Sequence, residues 1–453
     1  LPEAVLRGSL SGGTIISLFE THSNEAIEYL RSLPSHLYIG SIIFIVFSIL
    51  VILSSRRWNP PPLTYRYHII LWFLMILCII YKPTKDLLQK ENEFSLTQSQ
   101  VAPIAFIATA FNLIQEYYTE RELALQALDL PSDWEIISTS PTYKNYVLVI
   151  GESARKDYLS AYGYPQNTTP FLSTTKGLIF DGYIATAGNT ALSLTRSLYL
   201  HQNDESKLQN NIITLARQAG FYTYWISSQG GLGIHDNAAA RIGKFANQTY
   251  FSSSNFNNIK IHDDMLLTKL TEYLQQTSSS HRLFVLHLNG SHSVFCDRLH
   301  HKPDITFINQ NMSCYLATLQ QTDKLLQNLV HTLEKYGSYS LLYFADHGLH
   351  HIDKNSDKVT LVHGSQTKQN YEVPLIRINS DDTKRQLIRS QRSAYHFLNG
   401  FSQWLGIHEK HLTWEIDFFS DHKDESIKVF NMQQNVDWST LENDPAISEA
   451  GYF

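Results

Sequence analysis

The sequence predicts an α/β fold: a largely parallel central sheet with helices on both faces, preceded by a helical membrane region. Three observations predict it. Two long apolar runs stand near the start, the first with no charged residue in it. From about residue 145 onward, short apolar runs alternate with helical stretches, the pattern of a parallel sheet covered on both sides. Several of those runs stop on a carboxylate or a histidine, and ligand sites in such sheets lie beyond the carboxyl ends of the strands.

The first run, LYIGSIIFIVFSILVIL, covers 37–53, and the second, HIILWFLMILCIIY, covers 68–81. Both are short for a membrane span, which needs roughly 17–25 residues. Their aromatic ends, Tyr38, Trp58, Trp72 and Tyr81, suit the interface. The plainer alternative is a pair of buried core helices, but a soluble core helix rarely lacks a polar stripe for so long. Arg56, Arg57 and Arg66 lie between the runs with no acid, so the positive-inside rule makes that loop cytoplasmic. Residues 1–35 and everything after Lys82 then face the other side, which is the periplasm in a Gram-negative cell. Residues 102–130 read as one or two amphipathic helices on the membrane surface. The division expected is a membrane region over 1–130, a Pro/Ser/Thr-rich linker over 131–144 and a periplasmic domain over 145–453.

In that domain YVLVIG (146–151), YTYWISS (222–228), LFVLHL (283–288), YSLLYFA (339–345) and VPLIRI (373–378) read as strands. Helical stretches intervene. NNIITLARQAG ends at Gly220, DMLLTKLTEYLQQ follows Asp263, and a helix over 315–336 carries Leu319, Leu326, Val330 and Leu333 before Gly337 stops it. Asp323 falls on the apolar phase of that helix. A buried acid is costly unless paired, so it is either a hydrogen-bonded structural residue or a support behind a metal site.

A net charge of −6 over 453 residues gives no electrostatic footprint for nucleic acid. Three cysteines exclude a cysteine zinc cluster and a disulfide-dense scaffold. The chemistry lies at the strand ends. Glu152 follows the first strand, and Asp346-His347 follow YSLLYFA. Two carboxylates and an imidazole suit zinc or manganese with oxygen and nitrogen ligands. A nucleophile is offered by ATAGNTALSLTRSLYL (185–200), where Thr190 opens a helix and feels the positive end of its dipole. Pattern alone leaves an N-cap role for Thr190, with Ser193 and Thr195 as competitors. His292 and His363 sit in loops beside strands, placed for phosphate binding or proton transfer.

These residues and the motifs around them resemble the phosphoethanolamine transferases of Gram-negative bacteria. These are inner-membrane enzymes of the alkaline phosphatase and sulfatase superfamily, and they include the lipid A modifying enzymes behind polymyxin resistance. THSNEAIEYL (21–30), VIGESARKDYLSAYGYPQNTTPFL (149–172), YWISSQ, HDDMLL, HLNGSH, CYLATLQQTD, FADHG and the HG…NYEVPL stretch follow in the family's order. The resemblance implies that Glu152, Asp346, His347 and Thr190 bind zinc, with Thr190 as the nucleophile. His292 and His363 would contact the phosphoryl group or a second zinc; manganese is the lesser alternative. Gln229 would help bind the head group. It further implies a phosphatidylethanolamine donor, a lipopolysaccharide acceptor (core sugar or lipid A) and a monomer without nucleic acid. Five membrane helices are usual in the family and two are visible, which suggests three more upstream of Leu1. Cys296 and Cys314 are the pair on the periplasmic side, so a bridge between them is expected.

The chain departs from the family where Leu349-His350 replaces the usual Glu-Ser, where a lysine is missing near Leu232, and in lacking several disulfides. These departures bear on the acceptor. Tyr-Gly-Tyr-Pro (162–165) and Trp-Ile-Ser-Ser-Gln (225–229) look closer to the branch that modifies lipopolysaccharide core. The rivals are a sulfatase-like hydrolase, whose Cys/Ser-x-Pro-x-Arg motif NTALSLTRS lacks, a phosphoglycerol transferase with the same Thr logic, and a catalytically dead membrane-anchored binding protein, which would lack ligands.

Overall fold

The computed structural model describes residues 10–20, 27, 36–57, 64–90, 94–202, 205–230, 238–252, 262–276, 281–448 and 451–452. Trp58, most of 21–30 and the stretch around Leu232 lie outside them. The chain divides into two compact units, Leu1–Leu18 with Leu33–Leu123, and Phe19–Ser32 with Ala124–Phe453.

In the first unit the apolar runs form α1 (His36–Arg57) and α2 (Tyr65–Lys90). Each helix outruns its apolar run by several residues. At 1.5 Å per residue the 22 residues of α1 extend about 33 Å, enough for a hydrocarbon core of about 30 Å. Both helices are long and apolar enough to cross a membrane. Phe47 is 64% exposed and Trp72 61%. A core helix would bury such side chains, so the core-helix alternative fails. Pro83 lies inside α2 and has no N–H to give the carbonyl one turn back, that of Ile79. The Ser99 hydroxyl donates to that carbonyl at 2.9 Å instead. The stretch read as one or two helices is one, α3 (Ala102–Gln126), followed by a 3₁₀ turn at Ala127–Asp129.

The second unit is built on an eight-stranded sheet. Its strands are β1 (Asn145–Gly151), β2 (Gly177–Ile184), β3 (Tyr222–Ser227), β4 (Gln248–Phe251), β5 (Arg282–His287), β6 (Tyr339–Ala345), β7 (Leu375–Asn379) and β8 (Arg385–Ser393). The order across the sheet is β8-β2-β7-β6-β1-β5-β3-β4. All pairs are parallel except the two made by β7, which runs against β2 and β6. Three strands escaped the sequence reading. β4 and β8 are edge strands; β8 (RQLIRSQRS) is charged, a common guard against edge pairing, and its second half is covered by the 420–424 loop, where the Asp424 N–H donates to the Gln391 carbonyl at 2.9 Å. β2 is broken by Asp181-Gly182, where the glycine lets the Ser390 backbone carbonyl approach.

Alternation along β1 sends Tyr146, Leu148 and Ile150 into one apolar layer and Val147 and Val149 into the other. Leu342 and Phe344 of β6 join the first, Leu341 and Tyr343 the second. Helices cover both faces, and α5 (Gln310–Leu333; α4 is defined below) contributes Leu316 and Leu319 to one layer and Leu326 and Leu329 to the other. Asp323, on this helix, accepts from the N–H groups of Phe171 and Leu172 at 2.9 Å each. It caps the short helix Pro170–Thr174, which decides for the structural reading of that residue. Cys296 and Cys314 are joined by a disulfide.

Candidate active site

Register builds the site. β1 and β6 are parallel neighbours with Gly151 opposite Ala345. The next residue on each chain is a carboxylate, so Glu152 and Asp346 emerge side by side, tied by the Asp346 N–H to the Gly151 carbonyl at 3.1 Å. His347 follows. Glu152, Asp346 and His347 are buried, and one ligand atom from each lies within 4.8 Å of the others. His347 Nδ1 is 2.9 Å from the Gly348 carbonyl, which turns Nε2 toward the carboxylates: 3.3 Å from Glu152 Oε1 and 3.6 Å from Asp346 Oδ2.

Thr190 is the first residue of α4 (Thr190–Leu198), and the cap is Asn189, whose side chain accepts from the Leu192 N–H at 3.0 Å. The Thr190 hydroxyl is therefore not spent on capping. It donates to Glu152 Oε2 at 3.0 Å and lies 3.4 Å from His347 Nε2. The two competing hydroxyls are engaged elsewhere: Ser193 Oγ donates to the Asp346 carbonyl at 2.6 Å, and Thr195 Oγ1 to the Ala191 carbonyl at 2.7 Å. Gln229 Nε2 donates to Glu152 Oε2 at 3.2 Å and to the Leu288 carbonyl at 2.8 Å. The His363 ring centre is 4.9 Å from that of His347 and 5.8 Å from that of His292. Glu152, Thr190, Gln229, His292, Asp346, His347 and His363 thus form one connected constellation. Cys296 and Cys314 are bonded to each other and give no thiol to it.

The donors fit a cation. Asp346 Oδ1 accepts from the N–H groups of Ser153 and His347. Its Oδ2 faces Thr190 and makes no hydrogen bond of ordinary geometry among the described residues. Two buried carboxylates around an imidazole nitrogen need positive charge among them. Without it protons are drawn in. Burial, followed by the charge of Glu152, pushes the Asp346 carboxyl up to about 7. Burial disfavours charged His347, yet Asp346 and Glu152 raise it to about 9. Burial also works against Glu152, but the His347 hydrogen bond and charge hold it well below the usual carboxylate range. A zinc with oxygen and nitrogen ligands matches this donor set.

The strand-end rule puts the 287–292 stretch beside Glu152 and Asp346-His347 without giving His287 a role, and the sequence does not point to Ser153, Asp263 or Gly290. Ser153 adopts a left-handed φ of 55° and donates its hydroxyl to Glu152 Oε1 at 2.6 Å. His287 is buried at the end of β5, its Nε2 without a hydrogen-bond partner among the described residues, and burial holds its ring down to about 4. Asp263, buried, accepts from the N–H groups of Asn289 and Gly290 and from the Ser228 hydroxyl. Gly290 has a φ of +46°, and a Cβ there would come within 2.9 Å of the Glu152 carbonyl. Asp263 thus pins the loop carrying His292 against Glu152. A strand ending in histidine was the only signal for His287; nothing in the local pattern separates Asp263 from an ordinary acid in a first helical turn.

The sulfatase family model matches residues 144–407. The phosphoethanolamine transferase OpgE of Escherichia coli K12 is 34% identical over 98% of this chain and 84% of its own length. The phosphoethanolamine transferase EptC of the same organism is 22% identical over 62% of this chain and 52% of its own. Among solved structures, the lipooligosaccharide phosphoethanolamine transferase A of Neisseria meningitidis, an integral membrane protein, aligns over 92% of this chain and 83% of its own, with a TM-score of 0.63 at 14% identity. The zinc complex of the periplasmic domain of E. coli EptC aligns over 68% and 96%, with a TM-score of 0.59 at 19% identity. At such identities the structures speak for the fold. One-third identity along nearly the whole chain, over a sulfatase-type sheet, shows that this protein belongs to the phosphoethanolamine transferases.

Proposed function

We propose that this chain transfers phosphoethanolamine from phosphatidylethanolamine to lipopolysaccharide, at a core sugar or lipid A, through a covalent intermediate on Thr190. The catalytic domain, 145–453, works in the periplasm, and the membrane region, 1–130, holds it at the inner membrane beside its lipid donor. The observation that carries the reading is the Thr190 hydroxyl, 3.0 Å from Glu152 and 3.4 Å from His347 at the head of a helix.

Glu152, Asp346, His347 and Thr190 would hold the zinc. A bound zinc supplies positive charge that favours an ionised hydroxyl and offsets charge developing on the phosphoryl oxygens. Thr190 Oγ1 attacks phosphorus, and its proton has an acceptor in Glu152 Oε2. The oxygen–phosphorus bond to Thr190 forms as the bond to the glycerol oxygen breaks, and diacylglycerol leaves after taking a proton. His363, its ring 4.9 Å from that of His347, and His292, 5.8 Å from His363, would meet the phosphoryl oxygens and supply that proton. Gln229 spends its amide N–H groups on Glu152 and the Leu288 carbonyl, and its oxygen would serve the ethanolamine ammonium. In the second half an acceptor hydroxyl attacks phosphorus and gives its proton to the histidine left deprotonated by the first half, while the oxygen–phosphorus bond to Thr190 breaks and Thr190 regains the proton held by Glu152. That the structurally similar Neisseria enzyme is a lipooligosaccharide phosphoethanolamine transferase supports the acceptor class.

Intact-protein mass spectra after incubation with phosphatidylethanolamine should show a phosphoethanolamine adduct. Thr190→Ala should abolish it, and chelation should suppress it until zinc is restored. An adduct that survives Thr190→Ala refutes the assignment. Glycan mass spectrometry of a strain lacking the protein identifies the acceptor.

A further inference from the structure

We infer that the C-terminal segment 442–447 is a clasp that positions the catalytic loops, with Asp444 as its positioning residue; this rests on the zinc-site reading above. The segment lies beyond the residues matched by the sulfatase model, which end at 407. It nevertheless reaches three of the loops that carry the site, those of Glu152, of Asp346-His347 and of His363.

Asp444 is the point where they meet. Its carboxylate accepts from Arg155 Nη1 at 3.0 Å, and Arg155 stands three residues after Glu152. It accepts from the His351 N–H at 2.8 Å and from His351 Nδ1 at 2.9 Å, and His351 stands four residues after His347. Its own N–H donates to Gln369 Oε1 at 2.7 Å, on the loop that follows His363. The Arg155 side chain is fully buried and also reaches the Leu349 carbonyl at 3.4 Å. Gly348 is held on the other side: its N–H donates to the Asn370 carbonyl at 2.8 Å, and a Cβ there would strike the Gln369 carbonyl. The turn after Asp346-His347 is thus fixed by groups that Asp444 orients.

The cluster is not itself a ligand site. Arg155 and Lys354 balance Asp157 and Asp444, with contacts of 2.6 Å from Arg155 to Asp157 and 2.7 Å from Lys354 to Asp444. Neighbours that orient metal ligands typically contribute 10–100-fold to metal affinity, and here the orientation is delivered from a segment 97 residues past His347 in the chain.

The test uses the purified full chain in detergent, with zinc affinity read by competition against a chromogenic chelator. Amide exchange of 346–351 is followed in the metal-free protein. Asp444→Asn should weaken zinc binding about 10-fold or more, speed exchange in 346–351, and lower kcat with little change in the donor KM. Tyr158→Phe is the milder variant. Its hydroxyl joins His351 Nε2 at 2.6 Å to the Ile447 N–H at 3.1 Å, and its loss leaves no charge unpaired. It should weaken zinc binding several-fold, and it decides the matter where Asp444→Asn fails to fold. Folded variants with wild-type zinc affinity and exchange overturn the clasp while leaving the zinc site standing. A wild-type chain that binds no zinc overturns the site reading, and the clasp with it.

Discussion

Glu152, Asp346 and His347 form one buried polar cluster; Arg155, Asp157, His351 and Lys354, a few residues further along the same two loops, form another with Asp444 of the C-terminal segment. The second is complete. Its cations and carboxylates balance, and a neutral His351 with its proton on Nδ1 satisfies both Asp444 and the Tyr158 hydroxyl. Burial and the charge of Arg155 hold that ring down to about 4. The first cluster is not complete. It gathers two carboxylates about one nitrogen, leaves Asp346 Oδ2 without a hydrogen bond of ordinary geometry among the described residues, and draws protons where a cation would serve. Burial alone therefore does not mark a functional site. What marks it is a buried charge set that the chain does not neutralise by itself.

The largest expected break in this contrast comes from Arg155→Met. It strips half-buried Asp157 of its cation and leaves buried Asp444 with Lys354 alone, and should cost about 3–5 kcal/mol in denaturant unfolding. A loss under about 1 kcal/mol would mean the second cluster is not the balanced unit described. Acid comes next. The folded His351 ring sits below its usual 6.5, so its contribution is complete above that value and is lost as pH falls from about 6.5 toward 4. Asp444 acts in the same direction: burial opposes its charge, but His351 and Arg155 hold it well below the usual range, so its contribution also fades in acid. The chain should be about 2 kcal/mol less stable at pH 5 than at pH 7 on account of His351. His351→Gln should flatten that slope; an unchanged slope would show the ring does not titrate as described. The smallest effect has two signs. In chelator-treated protein Asp346→Asn removes one of two facing carboxylates and should raise Tm by about 2–4 °C. With zinc present the same change should lower Tm. A fall in both conditions would show the first cluster to be self-sufficient like the second.

Much of this was legible in the chain. Apolar runs ending in Glu152 and in Asp346-His347 announced strands with donors at their carboxyl ends, because a carboxylate cannot continue a fully buried strand at low cost. The direction of β7 was not legible, since VPLIRI is equally apolar either way round. Nor was β8, whose charged edge hides the strand period. Thr190 could not be told from Ser193 and Thr195 by pattern. The fold separated them by giving the latter two backbone carbonyls to bond and giving the cap to Asn189.

The sequence by itself determined the membrane helices, the alternating α/β texture and the three donors at strand ends. Each of these rests on local apolar period or on what may follow a buried strand. Only the tertiary structure decided which charges are neutralised. Arg155 meets Asp444 across 289 residues and Glu152 meets His347 across 195. Partners that distant are set by strand register and loop packing, and nothing in the local sequence records them.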